Sequence, residues 1–99
     1  MLNKEQARAI ALAMIAGMAK ADGRDYMILE DAIVERELVW AFPFNSRTYA
    51  ATRNARDMVL GLAPIVVKRG SGAARMALPM PFEDFLTKYA AEPDESSYE

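Results

Sequence analysis

The sequence contains no cysteine and no histidine. Without cysteine there is no disulfide framework, no thiolate nucleophile and no zinc–thiolate site. Without histidine there is no imidazole base and no His-ligated metal. The inventory suits a reducing compartment, so a cytoplasmic protein is expected. Long hydrophobic runs are absent too. The most apolar stretch, Ala9–Ala19, is eleven residues between Arg8 and Lys20, whereas a membrane span needs about 20. With Glu5 in front of it, this stretch reads as a core helix rather than a leader or an anchor. The Gly-Ser-Gly at 70–72 is followed by no Gly-Lys-Ser/Thr, so it is not a phosphate-cradling loop. The acids Asp22, Asp25, Glu30, Asp31, Glu35 and Glu37 lack calcium-loop spacing and read as solvated surface. No catalytic residues, cofactor or metal are therefore expected.

What is present is a globular balance, 53% hydrophobic and 26% charged over 99 residues, enough for one modest core. Residues 1–91 read as a single domain and 92–99 as an acidic flexible tail. The net charge of −2 hides an asymmetry. Residues 45–78 hold six Lys or Arg against Asp57 alone, while residues 79–99 hold Lys88 against six acids. A basic middle is flanked by acidic ends.

Asn3 followed by Gln6 has the form of a capping box, and the helix it opens runs to about Ala21 with Gly23 as its stop. Ala7, Ile10, Ala11, Met14 and Met18 share one face of it. Asp31–Ala41 is expected to be a second helix, ended by Phe42-Pro43. A third starts at Asn45 or Ser46 and runs to near Leu62, its buried stripe being Ala51, Ala55, Met58, Val59 and Leu62. A hairpin follows, with Gly70–Ala73 as its loop. Ile65 and Val67 then pair with Leu78 and Met76, which sets Lys68 opposite Arg75. A short amphipathic helix begins near Pro81 and carries Phe82, Phe85, Leu86 and Tyr89.

The order of two helices, the turn "FPFNS", the helix "RTYAATRNARDMVLGL" and the hairpin "IVVKRGSGAARMAL" resembles a winged helix-turn-helix domain over about Ala7–Leu78. The resemblance implies a small α+β DNA-binding fold of three helices, a two-stranded hairpin and a short C-terminal helix. It implies that Ser46, Arg47, Thr48, Tyr49, Arg53 and Arg56 meet double-stranded DNA, with Lys68, Arg69 and Arg75 as wing contacts. Arginine reads guanine or clamps phosphate, which suits that role. A small regulator or replication accessory factor, acting as a homodimer, is the expected function. The rival reading is a non-catalytic protein-interaction module, such as an inhibitor that seizes a host complex through Trp40, Phe42 and Phe44 or the acidic tail. Arg53→Glu should abolish activity in the first case, Trp40→Ala or tail deletion in the second.

Overall fold

Asn3 opens the first helix as its spacing from Gln6 predicts. In the computed structural model, which describes residues 1–93, α1 spans Lys4–Asp22. The Asn3 side chain accepts from Gln6 N at 2.9 Å, and the Gln6 side chain accepts from Asn3 N at 2.9 Å. Gly23 closes the helix in the left-handed region, at φ +67°, where a side chain would be strained. The buried face is Ala7, Ala11 and Ile15. The two alanines let the helix backbone lie close against the sheet.

The segment expected to form a second helix is extended instead. After β1 (Tyr26–Ile28) it folds as a single 3-10 turn at Glu30–Ala32, β2 (Val34–Glu35) and β3 (Val39–Phe42). All four residues of β3 are buried. A strand covered on both faces shows no alternation of polar and apolar residues, so its period of two is invisible in the sequence. Pro43 does not end a helix. It marks the point where the chain leaves one sheet for another: β4 (Phe44–Ser46) follows at once and pairs with β1.

The third helix is also corrected. Only α2 (Arg47–Thr52) forms, followed by a 3-10 turn at Ala55–Asp57. Three side chains compete with the helical backbone. Thr52 Oγ1 accepts from Asn54 N at 3.1 Å, and Asn54 Oδ1 accepts from Arg56 N at 3.1 Å. Ser46, the N-cap, also reaches forward to donate to the Asp57 carbonyl at 2.9 Å, which draws residue 57 back to the helix start. The expected stripe had two alanines among its five positions, too little apolar area to resist these bonds.

The hairpin forms from β5 (Ile65–Lys68) and β6 (Ala74–Met76). Ile65 faces Met76, Val66 faces Arg75 and Val67 faces Ala74, a slip of two residues from the expected register. A slip of two preserves which side chains share a face, and it removes the opposition of Lys68 to Arg75. The loop keeps four residues, now between Lys68 and Ala73, and Gly72 sits in it at φ +82°. A Cβ there would meet the Ile10 and Leu2 side chains at 3.1 and 3.3 Å.

The four-stranded antiparallel sheet has the order β2-β3-β5-β6. One face, with Trp40, Phe42, Ile65 and Val67, packs against α1 and the small β1–β4 sheet. The other, with Val39, Ala41 and Val66, is covered by Phe85, Leu86 and Tyr89 of α3 (Phe82–Ala91), which starts at Pro81 as expected. The architecture is α+β, with three helices and antiparallel sheets among the described residues. The winged order of three helices and a free hairpin does not form, because α3 covers the hairpin face that the wing reading left to solvent. The expected tail, residues 92–99, lies outside the described residues from 94 onward.

Candidate functional site

The nine residues assigned to DNA do not gather on one face. Ser46, Arg47, Thr48, Tyr49, Arg53 and Arg56 stay together on α2 and the turn after it, packed beside the segment 25–31. Lys68 is buried at 8% exposure on the α3 side of the sheet. Its Nζ donates to the Glu92 carbonyl and lies 4.7 Å from the Tyr89 ring centre. Arg75 is close enough for its charge to act on Glu92. These two therefore address the end of α3, not the α2 surface.

Charge in the basic segment is largely answered from within the fold. Arg47 meets Asp25 at 2.6 Å, and Arg53 grips both oxygens of Asp31 at 2.5 and 3.2 Å. Arg8 of α1 pairs with Glu30 on the same segment. Each arginine donates hydrogen bonds to its carboxylate, which holds Asp25, Asp31 and Glu30 below the ordinary range of their acids. Arg69 lies 4.8 Å above the Trp40 ring, donates to the Arg36 carbonyl at 2.7 Å and meets Glu35 at 3.2 Å. It braces the β2–β3 turn. Among the described residues Arg56 has only its neighbour Asp57, at 3.9 Å, and its side chain is 79% exposed.

The aromatic cluster of the rival reading is corrected as well. Trp40, Phe42 and Phe44 are 6, 0 and 4% exposed. Their rings fill the core between α1 and the two sheets, so they present no surface to a partner. Three aromatics in five residues reflected two adjacent strands rather than an interface.

A different surface is concave and apolar. The turn between β2 and β3, at Arg36–Leu38, stands beside α3 and encloses with it a groove of about 460 Å³. Leu38, Val39, Leu86 and Ala90 line it, and Glu37 and Glu83 stand at its edges. Leu38 is 51% exposed, a large aliphatic side chain left half in water. Arg36 bridges to Glu83 across the groove, which ties the turn to the helix. Among the described residues neither Glu37 nor Asp84 forms an ion pair. Sequence reasoning missed Leu38 because it was read inside a helix. Seen as the turn residue before a fully buried strand, it is the one apolar side chain of "ERELVW" with nowhere to go.

Another prominent apolar group is Leu60, 82% exposed. Its loop is pinned by buried Asn45, which donates to the Val59 carbonyl at 3.1 Å and accepts from Val59 N at 2.8 Å. Among the described residues no group of carboxylates is arranged to hold a metal ion, and no helix is long and apolar enough to cross a membrane.

No curated protein and no solved structure matches the chain. A protein-family model does: that of Immunity protein 35 matches residues 5–92. The matched region runs through every helix and strand described above, from the first turn of α1 to the residue after α3. By that match, the chain belongs to the Immunity protein 35 family.

Proposed function

We propose that the protein is an immunity protein that neutralises a protein toxin by binding it non-covalently. The family match over residues 5–92 carries this reading. It favours the protein-interaction function over DNA binding, to which nothing in the comparisons points. The ion pairs of Arg47 and Arg53 agree with it, since phosphate contacts would have to displace carboxylates already in place. The mode of action is occupancy rather than chemistry. Its partner is protein, and no cofactor enters.

Neutralisation by occupancy sets a scale. A nanomolar complex corresponds to about −12 kcal/mol, and standard interfaces take about 800 Å² from each partner. The described surface of this protein is 6103 Å² in total, so the contact would cover roughly an eighth of it. A footprint of that size is larger than any one groove and would extend onto the neighbouring turn and helix.

The test starts from native cells. The tagged chain is purified with whatever it holds, and each co-purifying protein is expressed in a susceptible host with and without the chain. One such protein should arrest growth alone, be tolerated when the chain is present, and form a one-to-one complex by light scattering. If no co-purifying protein is toxic, or the chain gives no protection, the reading falls.

A further inference from the structure

We infer that the groove between α3 and the β2–β3 turn is the toxin-binding site, and that it takes an apolar side chain from a basic surface of the toxin. This inference rests on the immunity reading and names its surface. Shape is the first argument. The groove is concave and lined by aliphatic carbons, with Leu38 half exposed on one wall and Leu86 and Ala90 on the other. Anchor side chains bury most effectively in such a recess, where surrounding contacts exclude water.

Rigidity is the second. The Leu38 wall is held by Arg69, whose backbone N donates to the Leu38 carbonyl at 2.9 Å while its guanidinium donates to the Arg36 carbonyl at 2.7 Å. The Arg36–Glu83 bridge holds the turn against α3. A recess already in its binding shape loses little freedom when filled.

Charge is the third, and it selects the partner. Most arginines elsewhere on this protein are matched by carboxylates from other elements. At the groove the balance reverses: its charged lining is Arg36 against Glu37 and Glu83, and Glu37, like Asp84 next to Glu83 on α3, is exposed and forms no ion pair among the described residues. Among the described residues, α3 and the residue after it carry Glu83, Asp84 and Glu92 against Lys88. A cationic partner surface gains from this field and is steered toward it, while an acidic one is repelled.

The experiment uses the full chain and, as probe, the purified protein whose toxicity the chain suppresses. Leu38→Ser should weaken binding at least tenfold, mostly through faster dissociation, because the apolar contact is lost. Glu37→Lys with Asp84→Lys should slow association and flatten its dependence on salt. Leu60→Ser, on another exposed apolar loop, should bind within twofold of the wild type. Leu38, Glu37 and Asp84 are all exposed, so each variant should unfold at the denaturant midpoint of the wild type, which is checked first. A photo-crosslinking residue in place of Leu38 should join the toxin, and one in place of Leu60 should not. If protection by the wild type holds but the Leu38 and charge variants bind within twofold, or only position 60 crosslinks, the groove is refuted and the immunity function stands. If the wild type neither binds nor protects, both fall together.

Discussion

The α2 flank and the α3 groove are built from the same kinds of residue and reach opposite ends. On the α2 flank, Arg47 and Arg53 cross to Asp25 and Asp31, carboxylates about 22 positions earlier in the chain. On the groove side, Glu37 and, next to Glu83 on α3, Asp84 find no such partner among the described residues, and Leu38 stays half in water. A surface whose charges are already paired has little left to offer a ligand, because any new contact must first replace an old one. A surface with unmatched charge beside exposed carbon has its interactions still to make. The density of basic residues along the sequence pointed to the first region, whereas the folded balance of charge points to the second.

That contrast is broken most sharply by removing one buried ring. Phe42 is fully buried, and Phe42→Ala should destabilise the fold by about 3–5 kcal/mol, a large share of the 5–15 kcal/mol typical of such domains. Urea denaturation would read it. Leu38→Ser should leave the same midpoint unmoved. If Phe42→Ala proved mild, the aromatic strand would regain its claim as an interface, and the groove would lose its distinction.

A smaller effect tests why the helical stripe broke. Asn45 is buried, and its carboxamide accepts from Ser46 N and Val59 N, both at 2.8 Å, while donating to the Val59 carbonyl. Asn45→Ala leaves these backbone groups without that partner and should cost about 1–3 kcal/mol. Amide exchange at Val59 should speed up with it. Unchanged exchange there would mean that the loop is held by something other than Asn45. Gly72→Ala should cost about 1–2 kcal/mol, since its left-handed backbone strains any side chain and Ile10 must also yield. A neutral outcome would mean the hairpin tip relaxes freely, with the register set elsewhere.

How much of this was legible depends on how locally each feature is encoded. The α1 cap at Asn3, its stop at Gly23 and the α3 start at Pro81 are set by neighbouring residues, and all three could be read directly. The inner face of the hairpin, with Ile65, Val67 and Met76, was read correctly even though its register was not, because a face depends only on alternation. The other face was read as open to solvent and is covered by α3. β3 could not be read, since a strand sandwiched between α1 and α3 carries no periodic signal of its own. The short α2 was hidden for a related reason. Its end is decided by side-chain bonds of Ser46, Thr52 and Asn54, which leave the hydrophobic pattern intact. The groove needed both errors corrected, because Leu38 only becomes a surface residue once the helix around it dissolves into a turn.

The smallest effect concerns the paired charges themselves. Hydrogen bonds from arginine hold the pKa values of Asp25, Glu30 and Asp31 on the α2 flank, and of Glu83 at the groove, below their ordinary range. A carboxyl whose native value is depressed takes up protons more readily when the chain unfolds. The stabilisation is therefore complete above the unfolded values, about 3.9 for Asp and 4.3 for Glu, and drains away as pH falls through the lower native ones. Every one of these pairs is open to solvent, so each contributes little and salt screens it. Thermal midpoints should be flat from neutrality down to about pH 5 and decline below, with a slope that high salt reduces. Asp31→Asn should trim that acid decline slightly by removing one titrating group whose native value Arg53 holds down. An unchanged decline would mean that the Arg53–Asp31 pair does not hold in solution, and the contrast between the two surfaces would close.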